Sequence, residues 1–279
     1  MSPLKVAKIM VLTILLIAAG FFFGSACERI NQQYYLILLL DRDFLYVLLS
    51  LLLAMATVAV TGGLVAVLVR PFWICAVAFA ISALAAFFAW EVSLASSVAA
   101  LIYLIVSLLY SRGVAVALNN TLKFSVETIS GSQSRLLAGL AIAACASLYF
   151  GYAAEIEERG FAFPPAMRDI ISEMTMAPMR AQIEAQTNLT SDEKDALLAQ
   201  IIGSFEEQWM RPMEEMIQSY ESFVPLMVAF MLFQALAVII TLASWLPIVI
   251  LAMIFPTLTG LGVAKKVTEM REMERLTMD

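Results

Sequence analysis

Apolar residues run along this chain in long stretches that no charge interrupts. There are 19 uncharged residues between Lys8 and Glu28, 26 between Asp43 and Arg70, and 20 between Arg70 and Glu91. A further 20 separate Glu91 from Arg112, 19 separate Arg135 from Glu155, and 43 separate Glu221 from Lys265. The hydrocarbon core of a bilayer is about 30 Å thick, so about 20 apolar helical residues cross it. The pattern predicts an all-α, polytopic helical membrane protein. Six transmembrane helices are expected over residues 6–27, 44–69, 72–90, 93–111, 136–154 and 223–246, with a broken or re-entrant apolar segment after the last.

The charges between these runs sort by sign. With the N-terminus cytoplasmic, the inner segments hold ten basic and five acidic residues, and the outer segments hold seven basic and eighteen acidic. Lys and Arg in short loops beside spans set orientation, so both termini are expected in the cytoplasm. The organisation that follows is a five-span region over 1–154, an extracytoplasmic helical domain over 155–222, the sixth span and the kinked or re-entrant segment over 223–264, and a cytoplasmic tail over 265–279. Lys5, Lys8 and the small residues before Cys27 loosely resemble a signal peptide. The apolar stretch there exceeds the 7–15 residues of a signal h-region, which favours a retained first span.

Within the spans, small residues recur at helical spacing. Gly20 and Gly24 form a GxxxG, and Gly139, Ala143, Ser147 and Gly151 stand at four-residue steps. Such stripes let helix backbones approach closely where no hydrophobic drive exists. Packing inside the bundle is the expected use, and a seam between copies is the alternative. Between the third and fourth runs the turn is short, Trp90-Glu91-Val92, with Ser93 placed to cap the following helix. The segment 112–135 reads as an inner loop and carries no nucleotide-binding motif.

Segment 155–222 predicts a short helix over about 165–176, a second starting at Pro178, and a capping box at Thr190-Ser-Asp-Glu193. An amphipathic helix follows, whose apolar residues from Leu197 to Tyr220 return at three- and four-residue steps, with a kink at Pro212. Phe205, Trp209, Met213, Met216 and Tyr220 are the candidate partner-binding residues of that face. Aromatic anchors carry much of the energy of interfaces, and methionine surfaces adapt to varied partners.

The 43-residue run is about twice what one crossing needs. One crossing ends near Trp245, and Pro247 to Ala264 remain, including Pro256-Thr-Leu-Thr-Gly260-Leu-Gly262. A seventh span would place Lys265, Lys266, Arg271 and Arg275 outside, against the charge rule. Exposed threonine and glycine carbonyls can replace an ion's hydration shell, which makes Thr257, Thr259, Gly260 and Gly262, with Gln234, candidate pore-lining residues. A proline kink and a glycine helix end is the plainer reading.

Composition narrows the chemistry. Hydrophobic residues make up 62% of the chain and charged residues 14%, too few for an aqueous globule. There is no histidine, which removes the commonest general base and metal ligand. Cys27, Cys75 and Cys145 stand far apart without a Cys-x-x-Cys pair, poor material for a disulfide framework or a zinc site. No carboxylate pair or nucleophile–base arrangement falls inside the spans. The expectation is a non-catalytic membrane subunit that acts by helix association and partner binding; the alternative is a channel or passive small-solute transporter. No cofactor and no metal are expected. The expected partners are membrane lipid, further copies of this chain or other membrane proteins, and no nucleic acid.

Overall fold

The computed structural model describes residues 3–263 apart from 40, 41, 70, 122–124, 164, 185–196, 198, 199 and 202. The described residues are helical and include no strand. In chain order the helices are α1 (Pro3–Gln32), α2 (Tyr35–Leu39), α3 (Arg42–Leu68), α4 (Phe72–Phe87), α5 (Leu94–Asn120) and α6 (Ser130–Arg159). They continue with α7 (Pro165–Glu184), α8 (Arg211–Gln218), α9 (Val224–Ala243) and α10 (Trp245–Gly260). Five helical stretches are long and apolar enough to cross a membrane: Val6–Gln32, Arg42–Leu68, Leu94–Asn120, Val126–Arg159 and Glu221–Ala243. The chain is a multi-pass helical membrane protein. Two further apolar helices, α4 and α10, have 16 residues each, about 24 Å at 1.5 Å per residue.

The bundle is wound around α3. Helix α1 packs between α3 and α4, α4 packs on α5, α5 on α6 and α6 on α9, while α3 also touches α5, α6 and α10. The residues of α3 explain its central place. Leu48, Leu51, Met55, Val58, Gly62 and Val65 are buried and fall at three- and four-residue steps, one apolar seam along a helix. The two ends of the bundle differ. At one end Lys8 donates hydrogen bonds to the carbonyls of Gly262 and Val263, at 3.3 and 3.0 Å, and Gly113 of α5 meets Ser132 of α6. Arg112 and Arg135 stand beside that meeting, so this is the basic end. At the other, Tyr34 and Tyr152 stack with centroids 4.1 Å apart, and Asn31 lies against Gly151.

Local signals work as expected at several helix ends. Ser93 caps α5: its Oγ accepts from the Ser96 N–H at 3.2 Å, and Ser96 Oγ accepts from the Ser93 N–H at 2.9 Å. Gly160 ends α6 at φ +73°, a left-handed conformation that glycine adopts without a Cβ penalty.

Other boundaries depart from expectation. Helices α1, α5 and α6 run past the charges that bracket their apolar runs, and the supposed loop 112–135 is mostly helix: α5 reaches Asn120, and a 3₁₀ turn at Val126–Ile129 leads straight into α6. Charge limits immersion in lipid, but Arg and Glu are good helix formers. Pro178 does not begin a new helix; α7 runs through it, since proline's fixed φ is helical and the cost is one backbone hydrogen bond and a bend. The expected kink at Pro212 follows a π turn, Glu206–Met210, and the proline stands in the first turn of α8. The box at Thr190–Glu193 lies outside the described residues. The long apolar run is broken at Ser244 into α9 and α10, and Pro256 sits inside α10.

Candidate functional site

The small-residue stripes are helix–helix contacts inside this chain. A Cβ added at Gly20 would strike Ser82 of α4, coming within 2.5 Å of its carbonyl oxygen; one at Gly24 would strike the Ala86 carbonyl and come within 2.8 Å of Ala89 Cβ. On α6, a Cβ at Gly139 would collide with Val106 of α5, and one at Gly151 with the Asn31 amide of α1. Ala143 and Ser147 between them are fully buried. The α6 stripe thus touches α5 at one end and α1 at the other, and the GxxxG seats α1 on α4.

Buried polar side chains bind these seams together, and hydropathy alone does not single them out. Ser82 Oγ donates to the Leu16 carbonyl at 2.8 Å and lies 2.8 Å from the Tyr103 hydroxyl. Tyr110 donates to Gln133 Oε1 at 2.6 Å, and Gln133 Nε2 donates to the Ala59 carbonyl at 2.6 Å. Tyr103, Ser107, Tyr110 and Ser111 are all buried, and their spacing of four, three and one puts them on one face of α5. That spacing was the available signal. Each satisfied bond crosses between helices, which in lipid is worth about 0.6–2 kcal/mol.

At the end opposite the basic one, both amide atoms of Asn31 are buried with no hydrogen-bond partner among the described residues. Burial, with the Glu155 carboxylate adding to it, raises the pKa of Tyr34 above the ordinary tyrosine value and keeps its phenol neutral. The three cysteines are buried and unbridged. Among the described residues no three Cys, Asp or Glu side chains gather as a metal site would require.

Segment 155–222 is tied to itself by one acid. Glu214 Oε1 accepts from Arg168 at 2.6 Å and from the Phe163 N–H at 3.1 Å, joining α7, the chain before it and α8. The candidate partner face is mostly uncovered. Trp209 is 63% exposed, Met216 63% and Tyr220 64%, while Phe205 and Met213 are half-buried. Phe223, Leu226, Met227 and Phe230 continue the exposed apolar surface onto α9.

The candidate pore residues are exposed, Gln234 on α9 and the others on α10 and the turn after it. Gln234 is exposed on the outer face of α9, the side opposite Val228, Leu232 and Leu236, which are buried where α9 meets α6. Thr257 and Thr259 are exposed on α10, and their hydroxyls donate to the carbonyls of Met253 and Phe255 at 2.8 Å. Gly260 ends the helix and Gly262 follows it at φ +69°; a Cβ added at either would meet nothing within 4 Å. The carbonyls of Thr257, Leu258 and Thr259 accept backbone N–H groups of residues 261–263, so they close a helix end.

One open groove carries charge. It lies at the basic end between the last turns of α5 and the first turns of α6, encloses about 440 Å³, and is lined by Arg112 and Arg135 together with hydroxyl and apolar residues.

No protein-family model, curated protein or solved structure matches the chain.

Proposed function

We propose that the protein is a non-catalytic integral membrane subunit that works by helix association within the bilayer and by partner binding through segment 155–222. The observation that carries this reading is Gln234. It stands at the middle of α9, the 20-residue helix Val224–Ala243, on the face turned away from the bundle, without a hydrogen bond among the described residues. A primary amide facing hydrocarbon alone costs several kcal/mol. The amide of a neighbouring helix satisfies it and gains about 1 kcal/mol. Met227 and Phe230 share that face at helical spacing and add apolar contact. Trp209, Met216 and Tyr220 extend the exposed surface into segment 155–222, where acidic Glu207 and Glu215 border it. A partner helix with an apolar face and a basic rim complements that surface.

The connectivity supports six crossings in this reading. Helices α3 and α5 end side by side at the basic end of the bundle, which supports a return crossing by α4 between them. With the basic end in the cytoplasm by the charge rule, both termini lie inside and segment 155–222 outside. In a glycosylating host, Asn188 of Asn188-Leu-Thr190 then acquires a glycan and Asn119 of Asn119-Asn-Thr121 does not.

The experiment for association measures the mass of the purified full-length protein in lipid nanodiscs. Gln234→Leu is expected to shift the population to single copies or to release the partner, and Gln234→Asn to retain it. Trp209→Ala is expected to leave insertion intact and weaken the complex. An unchanged mass distribution in both Gln234→Leu and Trp209→Ala overturns the reading.

A further inference from the structure

We propose that the groove between α5 and α6 at the basic end is a binding site for a phosphate-bearing anion, supplied by the head group of an anionic membrane lipid. Arg112 comes from α5 and Arg135 from α6, so each wall of the groove carries one arginine. Neither arginine forms an ion pair among the described residues, and Glu127, the acid closest in sequence, does not line the groove. Two cationic side chains that line one cavity without an ion pair favour an anion between them. Their forked donors match phosphate oxygens.

Thr128 and Ser132 line the same cavity with hydroxyls that make no hydrogen bond among the described residues, and they supply neutral donors. The close approach of Gly113 to Ser132, 2.9 Å from an added Cβ, brings the two helices together at the groove. The lining is apolar on its α5 side. Leu109 and Val116, 65% and 53% exposed, flank Arg112. A site for free phosphate has no use for such a flank, whereas an acyl chain needs one. Basic pockets between membrane helices are a recurrent means of holding anionic head groups.

The test uses the full-length protein in a neutral detergent and measures binding of three probes: short-chain phosphatidylglycerol, short-chain phosphatidylcholine and inorganic phosphate. Phosphatidylglycerol is expected to bind at least about tenfold more tightly than phosphatidylcholine. Arg112→Gln and Arg135→Gln are each expected to weaken it by about tenfold, the loss of one charged hydrogen bond. Because these charges also set orientation, the double variant Arg112→Lys, Arg135→Lys keeps the charge and removes only the forked geometry; it is expected to weaken binding several-fold. Gly131→Leu gives a steric control that alters no charge, since Gly131 lines the groove and an added Cβ meets nothing within 4 Å; it is expected to weaken the lipid while the protein stays folded.

Arg159→Gln, at the far end of α6, is expected to change nothing. Inorganic phosphate binding as tightly as phosphatidylglycerol, with the same arginine dependence, upholds the phosphate site and overturns the lipid as its source. Phosphatidylglycerol binding that is unchanged in the Gln variants overturns the site altogether. If those variants do not fold, unchanged binding in both the Lys pair and Gly131→Leu overturns it instead.

Discussion

Helices α6 and α9 pack side by side, and both are long and apolar enough to cross a membrane, yet they are built on opposite plans. Helix α6 is largely enclosed: it meets α1, α3, α5 and α9, Gly139 and Gly151 touch α5 and α1, and its one buried amide, Gln133, is bonded on both sides. Helix α9 leans on α6 with a single seam of Pro225, Val228, Ala229, Leu232 and Leu236 and leaves the opposite face bare. Its one amide, Gln234, has no bond among the described residues. The difference teaches that apolar character alone does not say what a membrane helix contacts. Small residues mark a close neighbour inside the chain, and a polar residue is structural where the fold satisfies it and outward-looking where the fold does not.

The comparison breaks most visibly at Gly139. Leucine there drives a branched side chain into Val106 with no space to receive it, and overpacking of this kind costs about 1–3 kcal/mol or more. Gly139→Leu is expected to lower the thermal midpoint of the detergent-solubilised protein by the largest margin of these variants, with loss of monodispersity on gel filtration. Full stability in that variant would mean that α6 is not enclosed. Next is Gln133→Leu, which strands the Tyr110 hydroxyl in the core, removes the second bond to the Ala59 carbonyl and is expected to cost about 1–3 kcal/mol. Gln133→Leu combined with Tyr110→Phe should recover part of that loss, and a double-mutant cycle in thermal or denaturant unfolding measures the coupling.

A smaller effect is expected outside the bundle. Glu214→Ala removes both bonds that tie α7 and the chain before it to α8, but the Arg168 side chain is 41% exposed, so solvent offsets much of the loss and about 1 kcal/mol is expected. Limited proteolysis within 155–222 should accelerate while the membrane helices stay folded. Smallest is Met227→Leu on the bare face of α9, with less than about 0.5 kcal/mol of change in unfolding of the isolated chain. A large loss of fold stability there would show that this face is covered by the chain itself, and the contrast with α6 would vanish.

The class of the molecule and the places where its helices pass through apolar surroundings follow from the order of residues alone. Both follow from a property summed along one helix: lipid rewards every apolar residue, and the backbone must satisfy its own hydrogen bonds there. Local ends were equally legible where one side chain decides them, as at Ser93. Tertiary structure decided everything that depends on a second helix. The GxxxG at Gly20 and Gly24 has the same spacing whether it meets α4 or another copy, and only the positions of Ser82 and Ala86 settle it. Gln133 and Gln234 are the same residue type, the first in the stretch 112–135 that reads as a loop and the second inside an apolar run, yet it is the first that the fold buries between helices. Arg112 and Arg135 read along the chain as the two ends of a loop. Continuing helices bring them to the two walls of one groove instead, because a helix stops where its backbone loses hydrogen-bond partners or meets a breaker and not where its side chains become charged.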